Sequence, residues 1–385
     1  MMLSVQLVAG PEQLRALAPE MDKLALAMQP RVPFATSDWL LPWWQHFSEA
    51  RLLVRDRFFV HTLRDEHGTL VALAPLLLTE RPGTGPLRVR TLGFWGRDKS
   101  ITEVRGLICA PEHEATATRA LLAHLLAQRQ QWDWFIWDGV RKGGEAHQLL
   151  SATTNFRWRR ETASHVLELP HSWDDFRATR SRNIKESLRK CYNSLKRDQL
   201  AFDFRVVEDA NELPGALERF LRLHASRSRA ETLSDHADYF SEAPARSLLH
   251  GLTNTPERLP GLRVLELRVG GELVAARVAF LLHDTLYLYF SGFDAKWARY
   301  SVMTTTVAET IKWAIQRRLR AVNLSTGTDV SKTRWGPSVI TTCSGVLVSP
   351  TRRAQLKLAL VNAVDRLGES SSGLSRAINL GRRRG

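Results

Sequence analysis

The residues best placed for chemistry lie between Leu286 and Gly336, with a second group at His224. Asp294 stands where an alternating run ends: Leu286, Leu288 and Phe290 against Tyr287, Tyr289 and Ser291. A carboxylate at a strand end can accept a proton or orient an amine, and it can equally cap its own loop. Tyr287 and Tyr289 share one strand face, where a phenol can donate a proton, line a pocket or simply form a wall. A lone lysine, Lys332, follows a second apolar run at residues 321–324, with Trp335 beside it. His224 titrates near neutral pH in the ordinary case, and Arg227 and Arg229 follow it as cations suited to an acidic acceptor. A structural histidine and a solvated helix end read the same way.

These residues need elements to hold them. Val302, Val307, Ile311, Ala314 and Ile315 fall at helical spacing, and the runs on either side have strand character. The order is therefore strand, loop, helix, strand. Such a loop meets a helix N-terminus, where free backbone N–H groups and the positive dipole end converge on an anion. Trp297, Arg299, Tyr300, Ser301, Val302 and Met303 form the expected cradle, sized for a pyrophosphate, with Arg299 supplying charge. An ordinary connection capped by Ser301 has the same pattern. Gly292 and Gly327 are expected to end the two strands.

The topology is written twice. Residues 58–63 and 70–79 read as a hairpin about the turn at 65–68, followed by a helix near 113–131 and a strand at 134–137. Residues 263–269 and 273–282 read as a second hairpin about Gly270 and Gly271, followed by the strand, helix and strand above. Strands mixed with crossover helices imply an α/β (α+β) fold: two mixed-sheet domains flanked by helices, an internal duplication. The expected boundaries are 1–165, 166–350 and a basic helical tail at 351–385.

At 385 residues the chain can hold two domains, and 44% hydrophobic against 24% charged residues is a globular balance. Its formal charge of +14 is localised, because residues 176–200 and 351–385 each carry eight basic and two acidic side chains. The first of these is an expected helix with Ile184, Leu188, Cys191, Tyr192 and Leu195 on one face and Arg182, Lys185, Arg189 and Lys196 on another. That basic stripe is a solvated surface or a seat for a phosphate-rich partner. Three scattered cysteines and no histidine motif predict neither disulfides nor a metal. The opening residues lack the basic start and apolar run of a secretory leader, and the longest apolar stretch, residues 70–78, is far short of a membrane span. A cytoplasmic location is expected.

Over residues 34–335 the chain resembles the GNAT acyltransferases, in particular their two-domain CelD-like branch, which is related to FemX-type peptidyltransferases. The resemblance rests on Phe34 to Trp39 with Trp43 and Trp44, on residues 72–77 and 90–93, and on the basic helix 182–196. It continues through Leu223 and His224 with Arg227 and Arg229, then residues 287–294 and 332–335. It implies acyl transfer from acyl-CoA, or from an acyl carrier protein, to an amine on a small molecule, amino sugar or polysaccharide precursor. It also implies that a lysine in the Lys332 region lies near the transferred carbonyl. Asp294, Tyr289 and His224 then become candidate proton carriers, and Tyr287, Arg227, Arg229 and Trp335 candidate acceptor contacts. One departure stands out: family members often carry Pro-Gly after the tyrosine before the helix, whereas Tyr300 is followed here by Ser301 and Val302. Glycine permits close approach to a pyrophosphate, so the departure bears on the donor.

Two other functions fit the same residues. An aminoacyl-tRNA-dependent transferase of the FemX kind would use the basic stripe. A non-catalytic binding module would keep the fold for assembly in a polysaccharide-synthesis complex. The tail places Leu356, Leu360, Ala363, Val364 and Leu367 on one face flanked by cations, and ends in Arg382, Arg383 and Arg384. It can dock on the domain, or lie on an anionic membrane surface and hold the protein at its inner face.

Overall fold

The computed structural model describes residues 2–83, 85, 88–98, 101–228 and 237–369, with side chains to 360. They form two compact units: Met1–Gln29, Trp43–Thr162 and Thr341–Gly385 make the first, and Pro30–Pro42 and Ala163–Ile340 the second. The change near residue 163 falls where the pattern weakens. Two exchanges have no local signal: residues 30–42 fold with the second unit, and the chain from 341 returns to the first.

The first unit holds a four-stranded antiparallel sheet ordered Ser4–Leu7, His61–Arg64, Leu70–Ala74 and Ile108–Cys109. Its other strands include Val54–Phe58, Leu76–Arg81, Val89–Phe94 and Trp134–Arg141, the last two parallel. The run at 70–79 is thus two strands in different sheets, not one. Pro75 divides them because it has no N–H for a ladder, and its carbonyl accepts from Trp95 N instead. The helix Glu114–Ala127 buries Ala117, Leu121 and Leu125 with Leu92, Phe94, Trp132, Phe135 and Trp137.

The helix Arg352–Glu369 belongs to this unit. Asp133, fully buried, accepts from Arg353 Nε and Lys357 Nζ, each at 2.8 Å. The helix is therefore held by its cations, while Leu356 and Leu360 stay 66% and 62% exposed. Ala363, Val364 and Leu367 lie beyond the described side chains, and the three terminal arginines beyond the described residues.

The second unit contains the strands Phe202–Val207, Gly261–Val269, Glu272–Leu282, Thr285–Phe293 and Ala321–Thr326, in that order across the sheet. The end of Phe156–Glu168 pairs antiparallel outside Ala321–Thr326. All these ladders are antiparallel except that between Thr285–Phe293 and Ala321–Thr326, which is parallel and bridged by the helix Val302–Gln316. This helix and Arg182–Arg197 share a core of Ile184, Leu188, Leu286, Leu288, Ala308, Ile311, Leu324 and Trp335. As the sequence pattern requires, Ile184, Leu188, Cys191 and Leu195 are the buried face of the basic helix, and Arg182, Arg189 and Lys196 are exposed.

Candidate active site

The parallel ladder is short. It runs through Thr285–Ala321, Leu286–Val322 and Tyr287–Asn323, and then the two strands part. Just beyond that point Thr285–Phe293 bulges. Leu288 faces Ala279 and Ser291 faces Arg277, so Tyr289 and Phe290 together stand against Val278. A bulge leaves backbone out of the ladder and re-aims the side chains that follow. Beyond Tyr287 and Asn323 no ladder joins residues 288–293 to 324–327 among the described residues, and we take these as the two walls of a candidate opening.

The loop at one end departs from expectation. Residues 295–300 are a 3-10 turn, not an irregular loop. Asp294 caps it, accepting from Lys296 N at 3.0 Å through Oδ1. Its carboxylate thus takes the loop-capping part of the two open to it. Tyr300 is buried, and its hydroxyl donates to Asp198 at 2.9 Å and accepts from Arg299 at 2.6 Å. Hydrogen bonds from Arg197 and then Tyr300 hold the Asp198 carboxyl below the usual range. This contact ties the turn to the end of the basic helix and gathers Lys196, Arg197, Lys296 and Arg299, all exposed, around one rim. Trp297 packs on Tyr300, and Met303 on the same small core.

Ser301 makes no side-chain cap of the helix that follows, so the capping alternative does not hold. It has φ 53° and ψ 42°, the left-handed conformation that glycine adopts freely. The pair's glycine would fall at Val302, the first residue of the helix, so Ser301 does not replace it and holds the left-handed turn at about 1–2 kcal/mol of strain. The first intrahelical bond runs from Thr304 N to Ser301 O, which leaves the Val302 and Met303 amides ahead of it.

Lys332 lies at the other wall. It donates to the Thr326 carbonyl and sits 3.4 Å from Asp329, on the short helix Val330–Thr333. Burial alone would raise the Asp329 carboxyl, but the Ser331 hydroxyl and Lys332 outweigh it and hold it low. His165 Nε2 donates to the Gly327 carbonyl at 2.5 Å. Asn323 is fully buried; its Oδ1 accepts from Ser325 N at 2.9 Å, and among the described residues its Nδ2 has no acceptor.

Gly292 does not end its strand. The ladder continues through it to Phe293. A Cβ at Gly292 would lie 2.4 Å from His224 N, so the glycine is what lets the helix Leu213–Ser228 approach the strand. That approach brings His224 Nδ1 to the Ser291 carbonyl at 3.1 Å and Arg227 Nη1 to the Ser291 hydroxyl at 3.1 Å. His224 is 1% exposed among Phe220, Tyr239, Phe240 and Phe290, and burial pushes its imidazole down, so it is neutral at ordinary pH. Arg227 feels Asp329 electrostatically and lies over the Phe293 ring at 5.2 Å.

The structure therefore brings Arg227, Ser291, Asp329 and Lys332 to one region. Other expected residues lie elsewhere. Tyr287 and Tyr289 are buried against Phe34 and Trp39. Trp335 is buried in the core, its carbonyl accepting from Arg180 and its backbone N–H donating to the Lys332 carbonyl. Arg229 lies outside the described residues. Sequence reading missed Ser291, Asp329, Asn323 and His165. Only Asp329 had a usable signal, its three-residue spacing from Lys332 on a turn.

Residues 181–333 match the model of the acetyltransferase (GNAT) domain. The crystal structure of FemX superposes with TM-score 0.57 over 85% of this chain and 95% of that one at 10% identity, a likeness of fold. A tandem GNAT protein from the clavulanic acid biosynthesis pathway gives 0.46 at 12% identity, over 91% and 99% of the chains. The C-terminal domain of a putative lysylphosphatidylglycerol synthetase from Agrobacterium fabrum gives 0.48 at 12%, over 90% and 96%. Among curated proteins none matches.

Proposed function

We propose, from the match of residues 181–333 to the acetyltransferase (GNAT) domain, that the protein is an N-acyltransferase moving an acyl group from acyl-CoA to an amine. The carrying observation is the parting of Thr285–Phe293 from Ala321–Thr326, with a bulge on one wall and a helix N-terminus at its end. In direct transfer the amine nitrogen bonds to the acyl carbon, the carbon–sulfur bond breaks, and the thiolate leaves as the amine loses a proton. The unpaired edges and the buried Asn323 amide suit a donor held through its thioester carbonyl and the amide groups of its pantetheine arm. The Val302 and Met303 amides with Arg299, Lys296 and Arg197 suit the donor's phosphates.

Lys332 is the proposed donor to the carbonyl oxygen as it gains charge. Its present acceptors, a carbonyl and a carboxylate, are ones it can leave. Asp329 rather than Asp294 is the carboxylate placed to take up the amine's proton, because Asp294 is committed to its own turn. His224 and Tyr289 act through packing, His224 by holding the Ser291 backbone. The acceptor is an amine-bearing small molecule, amino sugar or polysaccharide precursor, and an acyl carrier protein is an alternative donor. The exposed Leu356 and Leu360 support attachment to an anionic membrane surface, and among the described residues no helix is long and apolar enough to cross one.

Thermal unfolding with saturating CoA, acetyl-CoA and longer acyl-CoAs tests the reading. A ligand at about 100 times its Kd stabilises the native state by about 2.7 kcal/mol. A shift largest for one acyl length supports the donor class, and no shift with any of them refutes it. A second reading, an aminoacyl-tRNA-dependent transferase, draws on the exposed Arg182, Arg189, Lys190, Lys196 and Arg197 and on the serine at 301. It predicts steeply salt-dependent tRNA binding.

A further inference from the structure

A buried guanidinium normally sits against a carboxylate, and several arginines of the second unit do. Arg219 and Arg205 reach Glu266 at 2.6 and 3.0 Å, and Arg263 reaches Glu208 at 3.3 Å. Arg227 has no carboxylate in ion-pair range among the described residues. Its Nη1 bonds a neutral hydroxyl, Ser291 Oγ, at 3.1 Å. Its plane rests over Phe293, and its Nε is buried with no hydrogen-bond partner among the described residues. Among the described residues the carboxylate acting on it is Asp329, from beyond bonding distance, and Asp329 is held by Ser331 and Lys332.

A cation taken out of water without a counterion is costly, and leaving guanidinium donors unmade adds to the cost. The arrangement is explained if the counterion arrives with a ligand. A planar fork with an unused Nε edge fits the two oxygens of one oxyanion group, where a lysine would offer only a point charge. The position is also apt. Arg227 touches Ser291 on the wall of the opening and lies in the field of Asp329.

We propose that Arg227 recognises an oxyanion group, carboxylate or phosphate, carried by the acceptor amine. This rests on the acyltransferase reading and narrows it: the acceptor is an amino acid, a peptide terminus or a phosphorylated amino sugar, not a simple amine.

The test uses the full chain, Arg227→Met and Arg227→Lys, with acetate and inorganic phosphate as minimal fork-filling ligands and chloride at matched ionic strength as control. Thermal unfolding is read with each anion and, separately, with acyl-CoA. Wild type should gain a saturable rise in Tm with one oxyanion and none with chloride. Acetate as the better ligand means a carboxylate acceptor, and phosphate as the better ligand a phosphorylated one. Arg227→Met should unfold at the same or a higher temperature without anion, because it loses a cation with no counterion. It should also lose the anion response, and Arg227→Lys should weaken it by about ten-fold or more. The acyl-CoA response should survive in both variants.

A wild-type protein indifferent to both oxyanions, or an Arg227→Met protein that still responds, overturns the proposal. So does an Arg227→Met protein that unfolds at a clearly lower temperature, since that marks a structural arginine. Loss of the acyl-CoA response alone in the variants moves Arg227 to the donor and also overturns it. If wild type ignores acyl-CoA but keeps an Arg227-dependent anion response, the acyltransferase reading fails while the anion site stands.

Discussion

Substituting Gly292 by alanine tests the link between packing and site most directly. The added Cβ would lie 2.4 Å from His224 N, 2.6 Å from Leu223 C and 2.9 Å from His224 Cα. All three are backbone atoms of a helix that cannot rotate them away. Restoring ordinary contact requires the helix to withdraw by about 1 Å. Overpacking of this kind costs about 1–3 kcal/mol, and a backbone clash belongs at the upper end. For a unit of this size that lowers the melting temperature by about 5–10 °C. The same 1 Å would stretch the His224 and Arg227 bonds to Ser291, both now 3.1 Å, past useful length. A displacement of that order next to reacting groups can cost about 100-fold in rate.

The matched control is Gly215→Ala on the same helix, where the added carbon meets only the end of Arg219 at 3.5 Å. There the gain in helix propensity should stabilise by about 0.5–1 kcal/mol. Urea unfolding and steady-state turnover should therefore move in opposite directions for the two variants. If Gly292→Ala changes stability by less than about 0.5 kcal/mol and leaves turnover intact, the helix is not held where we place it.

Three further outcomes follow. Burial, then the neighbouring His124, pushes the His61 imidazole down from 6.5 to about 4, so protonation favours the unfolded chain. Stability of the first unit is full above about pH 6.5, falls as pH drops, and has lost about 3 kcal/mol by pH 4; His61→Phe should flatten that slope in urea titrations at several pH values. Ser301→Gly should keep or slightly raise stability, whereas Ser301→Val should lose about 1–2 kcal/mol and reduce the acyl-CoA shift, because a branched residue resists φ 53°. Asp133→Ala strands Arg353 and Lys357 and should free the C-terminal helix, read as faster tryptic cleavage after residue 352 with the second unit's unfolding unchanged.

Local patterns carried a good part of this. The alternation of residues 286–291, the spacing from Val302 and the glycine pair at 270–271 set the central strand, crossover helix and hairpin within a residue or two. The apolar face of the basic helix was equally plain, since burial of one stripe follows from its period. What escaped is non-local. Nothing near Phe34 or Trp39 says that they pack on Tyr287 and Tyr289, and so the sequence leaves site and wall roles both open for two tyrosines that are buried. Gly292 read as a strand end because a glycine's use as a seat for another backbone leaves no trace in its own segment. The same applies to Arg227: its charge was visible, but that no carboxylate pairs with it among the described residues is a property of everything around it.

The two units also show why one parallel pair is the better candidate for a site. In the first unit Val89–Phe94 pairs with Trp134–Arg141 only through Gly93 and Ile136, much as the second unit's pair ends at Tyr287 and Asn323. There the loop after Phe94 comes back onto the strand. A Cβ on Gly139 would lie 2.3 Å from Arg105 O, and one on Gly106 2.8 Å from Asp138 O. The same loop buries Ile101 and Thr102, and Asp98 accepts from both their amides. Backbone thus packs closely against backbone at this strand end. In the second unit the corresponding connection turns away as the Asp294-capped 3-10 turn and is tied at Tyr300 to Asp198, so the walls stay apart. A repeated strand order fixes where an opening can form, and the connection after the first strand of the pair decides whether it is filled. On this view Tyr300→Phe should cost the open unit its donor response more than its stability, since it releases the turn and removes about 1 kcal/mol of hydrogen bonding. An acyl-CoA shift unchanged in Tyr300→Phe would mean that the tie to Asp198 does not keep the opening.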